Sequence, residues 1–188
     1  MSETYKNRQI RSIKEFLDSG GDINESWKYG ATFLHSACAN KDIDEVRFLI
    51  DNGANLESRS DIGETPIHIS CFKGVVDITK LLLEKGANLY LINDFGMSPF
   101  QLACRQGKAL LVEFMINYGV DVNYTEWESH TPFFFACYSG NVEVVRLLLD
   151  NGANHMLTTK DGLFPTEILN GKDGKAICEL FIEKRVCC

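Results

Sequence analysis

At 188 residues, with 45% apolar and 24% charged side chains, the chain has the length and composition of one domain with a substantial core, which excludes a disordered tail, a collagen-like rod and a membrane protein. Its net charge of −7, with lysines and arginines scattered along the sequence, argues against nucleic-acid binding, because displacing counterions from phosphates needs a clustered basic face. Seven cysteines behind a polar N-terminus without a signal-peptide stretch argue against a disulfide framework and predict a cytoplasmic or nuclear protein.

Three ladders with one step set the elements. Pro66, Pro99, Pro132 and Pro165 are 33 residues apart, as are Gly20, Gly53, Gly86, Gly119 and Gly152. Gly30, Gly63, Gly96 and Gly162 form the third ladder, with Ser129 on its missing rung. In chain order, 1–29 reads as an N-terminal capping half-repeat, with a helix and a finger between Gln9 and Tyr29. Units 30–62, 63–95, 96–128 and 129–161 are complete.

The unit 63–95 shows the local logic. Thr65 is placed to cap a helix that Pro66 begins, where a missing N–H costs nothing. That short helix ends at Gly74, matched by Gly107 and Gly140. A longer helix carries Val76, Ile78, Leu81, Leu82 and Leu83 at helical spacing and stops at Gly86. A polar stretch of about ten residues then suits a turn or hairpin finger. Residues 162–188 read as two helices without a finger, a C-terminal capping repeat with Glu167 and Asn170 at positions otherwise apolar or His. The expectation is a single, complete, monomeric domain over 1–188.

The strings TFLHSA (Thr32–Ala37), TPIHIS (Thr65–Ser70), SPFQLA (Ser98–Ala103) and TPFFFA (Thr131–Ala136) resemble the ankyrin-repeat signature over nearly the whole chain. The departures are Phe33 for proline, Lys41 for the central glycine, and Gln101 and Phe134 for histidine. The resemblance implies an all-α ankyrin-repeat solenoid of helix-turn-helix units with β-turn or hairpin fingers. It also implies that His35 and His68 hydrogen-bond locally and knit neighbouring units. By the same resemblance, Asn24 and Asn123, each closing an Asp-Ile/Val-Asn finger, are candidates for oxygenase hydroxylation in animal cells.

Other motifs have plainer readings. Cys38, Cys71, Cys104 and Cys137 follow the repeat, and helices packed about 8–10 Å apart cannot bring such a ladder onto one metal ion. They are expected as small buried hydrophobes. His130 and His155 are read as solvated loop residues. Gly171–Lys175 lacks the upstream glycine and the Ser/Thr of a phosphate loop and is read as a turn. The terminal Cys187-Cys188 pair resembles doubly prenylated tails, which supplies an alternative: an adaptor anchored to membrane by lipid.

Function is expected at positions that vary between units. The family's concave binding face maps Trp27, Tyr29, Ile62, Phe95 and Trp127 to finger tips, and Phe72, Lys73, Arg105, Gln106, Tyr138 and Ser139 to the inner-helix face. Aromatics at finger tips, with arginine nearby, have the composition of interface hot spots. The reading is a non-catalytic scaffold, adaptor or inhibitor that binds another protein and uses no cofactor and no metal.

Overall fold

The computed structural model describes residues 3–125, 130–169 and 174–184, with side chains from Arg11 onward. These residues form α-helices and short turns, with no strand among them. Two compact units divide at a repeat boundary, Met1–Phe95 and Gly96–Cys188.

The first unit holds α1 (Glu3–Asp18), α2 (Phe33–Asn40), α3 (Ile43–Asp51), α4 (Pro66–Lys73) and α5 (Val76–Glu84). The short inner helices α2 and α4 pack on each other and on their outer partners α3 and α5, and α1 packs on α3. Leu34, Val46, Leu49, Ile67, Ile78 and Leu82 are fully buried between them. Each such side chain contributes roughly 1.5–3 kcal/mol on leaving water. The second unit repeats the plan with α6 (Pro99–Arg105), α7 (Ala109–Tyr118), α8 (Pro132–Ser139), α9 (Val142–Asp150) and α10 (Gly174–Glu183). Leu111, Met115, Phe133, Leu148, Ile177 and Phe181 fill its core.

Two sequence expectations change. The first helix begins at Glu3, ahead of the predicted Gln9. The stretch after Phe164 forms only a four-residue 3-10 turn, Pro165–Ile168, and the sequence there runs on into Asn170-Gly171, poor helix formers, where the complete units have Cys followed by Ala, Phe, Arg or Tyr. Among the described residues the fingers take the turn form of the expected alternatives, without strands. In one, Ser60 N–H donates to Glu64 O (2.9 Å) and Gly63 N–H to Ser60 O (2.9 Å). Successive fingers share single backbone bonds, Asp61 N–H to Tyr29 O (3.0 Å) and Asp94 N–H to Ile62 O (3.1 Å), too few for a strand ladder. Gly63 is required there: φ is +71°, and a Cβ would lie 2.3 Å from Asp94 Oδ1.

The signature histidine does two jobs. His35 Nδ1 accepts the Thr32 N–H (3.1 Å), which closes the helix start, and Nε2 reaches Glu64 O of the next unit (3.0 Å). Because Nδ1 accepts, the proton belongs on Nε2, and burial lowers the pKa of the ring below its ordinary value. Gln101 reproduces both bonds: Oε1 accepts Ser98 N–H (2.8 Å) and Nε2 donates to His130 O (2.7 Å). Phe134 offers no polar atom for either bond, and Glu167 makes only the first, accepting the Phe164 N–H (2.6 Å).

A second ladder runs through the outer turns. Asn24 Oδ1 accepts Asn55 N–H (2.7 Å), Glu57 Oε1 accepts Asn88 N–H (2.8 Å), and Asn123 Oδ1 accepts Asn154 N–H (2.7 Å). Each crosses from one repeat to the next. Both hydroxylation candidates, Asn24 and Asn123, are therefore already engaged as bridges.

Two further residues depart from the repeat at a cost. Lys41, at the rung of Gly74, adopts the left-handed conformation (φ 60°) that favours glycine. Glu45 occupies the register of Ile78, Leu111 and Val144 and is buried like them, with Oε2 making no hydrogen bond. Burial, and then the neighbouring Asp42 carboxylate, push its pKa up to about 7.

These features give three expectations. In urea unfolding, His35→Gln should retain most of the stability, whereas His35→Ala should lose about 2–3 kcal/mol by stranding two buried backbone groups. Lys41→Gly should gain about 1 kcal/mol by the same measurement. Glu45 takes up its proton at higher pH when folded than when unfolded. Its contribution is therefore greatest below about pH 4.5 and is lost as pH rises through about 7. Relative to Glu45→Gln, wild type should lose roughly 2–3 kcal/mol between pH 5 and 8. A flat difference would contradict the assignment, and the comparison cancels the opposite trend from His35.

Candidate functional site

The variable positions lie at helix ends and turn tips, where backbone geometry holds them out of the core. In the first unit Tyr29 (69% exposed), Phe95 (65%), Ile62 and Phe72 face solvent. Tyr29 is itself left-handed (φ 67°), and Lys28 Nζ lies over its ring at 4.9 Å from the centroid. Lys73 Nζ lies over Phe72 in the same way, at 5.6 Å. In the second unit the Arg105 guanidinium lies 5.8 Å from the ring centroid of Tyr138, which is 61% exposed. Arg105 also contacts Met97 Sδ at 3.6 Å. The cations are thus stacked on neighbouring rings, an arrangement that holds each aromatic in place while leaving its far side open.

Not every predicted residue is equally available. Trp27 meets Phe33 edge-on at 4.6 Å, and Phe33 meets Phe16 at 5.6 Å. Phe33, the residue in place of the proline, thereby anchors an aromatic cluster that occupies one side of Trp27. Ser139 donates its hydroxyl to Ala136 O (2.8 Å) and accepts the Asn141 N–H (3.3 Å), so it serves the turn between α8 and α9. Gln106 is half-buried and caps α6 through its backbone. Trp127, Cys187 and Cys188 lie outside the described residues, as does most of the Gly171–Lys175 motif.

The titratable residues that drew attention in the sequence are tied into structure. Cys38, Cys71, Cys104 and Cys137 are buried free thiols. Burial pushes the Cys38 thiol pKa up, and those of Cys71 and Cys137 up to about 12, so none is a nucleophile near neutral pH. Among the described residues, no group of three or more His, Cys, Asp or Glu is placed to hold a metal ion. His130, read as solvated, is half-buried, with its ring 4.8 Å edge-on to Phe134 and 5.8 Å from Phe135. Two aromatic neighbours, one of them the departure at 134, draw it inward. His155 is half-buried as well. No described helix is long and apolar enough to cross a membrane.

What sequence reasoning missed is the contrast at three inner positions. Ala31, Ser36 and Ala39 occupy the registers of Glu64, Ile69 and Phe72 in the next unit. The repeat alignment carried that signal, but attention to large residues passed over small ones.

A family model described as ankyrin repeats (3 copies) matches residues 2–93 and again 86–159. Among curated proteins, none matches the chain. Repeats of this kind are generally protein–protein interaction modules and are typically non-catalytic. With capped inner helices and apolar outer helices in the complete units, turn fingers among the described residues, and the family model spanning most of its length, the chain belongs to the ankyrin-repeat family.

Proposed function

We propose that the chain is a non-catalytic scaffold, adaptor or inhibitor that binds a partner protein, with the six segments 1–29 to 162–188 acting as one monomeric array inside the cell. The observation that carries this reading is the set of solvent-facing aromatics on fixed backbone: Tyr29, Phe72 and Phe95 in the first unit and Tyr138 in the second. Rigid aromatic side chains lose little conformational freedom on binding and bury large apolar area, which is why they dominate interface energetics. Ile62 extends the apolar surface, and Lys73 and Arg105 supply donors at its edge. Trp27 and Trp127 are proposed as supporting contacts, with Gln106 and Ser139 at the margin. The net charge of −7 favours a partner with a basic surface over nucleic acid.

The binding residues lie outside the core, so they separate cleanly from folding. Capture from native lysate should recover a protein with wild type and lose it, by tenfold or more, with Phe72/Phe95/Tyr138→Ala. The variant's thermal midpoint should stay within a few degrees of wild type. Undiminished capture by the variant would remove these residues from the interface, and collapse of the midpoint would make them structural.

A further inference from the structure

A hollow of about 310 Å³ opens in the first unit between the finger turns and the inner helices. Its origin is a local change in side-chain size. Ala31, Ser36 and Ala39 line it. The matching positions hold Glu64, Ile69 and Phe72 in the next unit, Met97, Leu102 and Arg105 after that, then His130, Phe135 and Tyr138. The other units carry larger side chains at these registers, and the small ones of the unit 30–62 leave room for the hollow.

The walls are firm and mostly apolar. Tyr29 and Ile62 stand on the finger side, joined by the backbone bond from Asp61 N–H to Tyr29 O (3.0 Å), and Ile69 of α4 closes one flank. His35, at the back, is held by its bonds to Thr32 and Glu64. The volume is near the lower end for ligand pockets, about 300–1,000 Å³. It suits one bulky aliphatic or aromatic side chain better than a cofactor.

The charge at the opening has one sign. Asp61 is exposed and contributes a carboxylate, the half-buried Glu64 carboxyl hydrogen-bonds the Asn93 side chain and burial raises its pKa, and no lysine or arginine lines the hollow. The Asp61 carboxylate turns back over the neighbouring finger, where a Cβ on Gly30 would come within 2.6 Å of its Oδ1. Lys28 is held over the Tyr29 ring. Among the described residues Asp61 makes no ion pair.

We infer that this hollow is an anchor site for a single bulky apolar side chain, leucine-like or phenylalanine-like, carried on a basic segment of the partner whose lysine or arginine meets Asp61. The inference rests on the protein-binding reading above and deepens it, since it assigns a chemical preference to one part of the surface. Burial of one apolar side chain contributes roughly 1.5–3 kcal/mol. Exposed charge pairing adds less and is weakened by salt, so it selects among segments more than it holds them.

The full-length protein, labelled with ¹⁵N, tests this with defined heptapeptides: acetyl-Gly-Lys-Gly-Leu-Gly-Lys-Gly-amide, its Glu-flanked counterpart, and the Lys-flanked peptide with Ala in place of Leu. The Lys-flanked leucine peptide should shift the amide signals of Ala31, Ser36 and Ala39 with a dissociation constant of about 1 mM. The alanine and Glu-flanked peptides should each bind at least fivefold more weakly. Ala39→Phe should abolish these shifts without altering the thermal midpoint, since Phe72 and Tyr138 already occupy that register. Asp61→Asn should weaken the Lys-flanked peptide about threefold and reduce its salt dependence. Shifts that map elsewhere, equal binding of the Glu-flanked peptide, persistence in Ala39→Phe, or no shift at 10 mM would overturn the inference. If Ala39→Phe still captures the native partner while Phe72/Phe95/Tyr138→Ala does not, the anchor site fails and the protein-binding reading stands.

Discussion

Where the fourth position of the signature holds His35 or Gln101, one side chain links helix geometry to repeat geometry. His35 accepts at one ring nitrogen to close its own helix start and donates from the other to the next finger. Both bonds are short, the first buried and the second part-buried, so neither backbone group is left without a partner where water has little access. Since the donor and acceptor belong to one rigid ring, the angle of the helix and the position of the next finger are set together. The finger tips, and the residues they present, inherit that geometry.

The same link explains which departures the repeat tolerates. Gln101 carries an acceptor and a donor about as far apart as the imidazole nitrogens and makes the same two bonds. Phe134 breaks the device, and its ring packs against His130 instead. Beyond that point the inner helix shrinks to the turn Pro165–Ile168, in which Glu167 can accept but not donate. Core substitutions follow a parallel rule. Ser70 and Thr79 stand in registers otherwise held by alanine and valine. They satisfy each other (2.9 Å) and nearby carbonyls, Ile67 O (2.9 Å) and Val75 O (2.8 Å). Glu45 has no comparable arrangement, and its carboxyl answers by holding a proton more tightly.

Much of the fold was legible because ankyrin repeats write their turns and caps into short strings. Thr65-Pro66, Ser98-Pro99 and Thr131-Pro132 start helices where expected, and the thiol ladder is buried as its spacing implied. Element boundaries and packing within a turn were less legible. The early start of α1 carries no sequence mark, and the 3-10 turn after Phe164 and the inward position of His130, which packs on Phe134 and Phe135, are local departures that the repeat register does not give. For the surface, alignment by register was enough to find exposed Tyr29, Phe72, Phe95 and Tyr138. It could not show that Trp27 leans on Phe33 or that Ser139 spends its hydroxyl on its own turn. A hollow is the hardest feature to read, because it is made by what Ala31, Ser36 and Ala39 lack.

The measurement that tests the structural account most directly is the tautomeric state of His35 and His68, read from two-bond ¹H–¹⁵N couplings in the imidazole rings at pH 7. In each ring Nδ1 accepts the backbone N–H of the preceding threonine, at 3.1 Å, so both should be neutral with the proton on Nε2. Imidazolium signals, or a proton on Nδ1, would contradict the bridge on which the placement of the fingers depends.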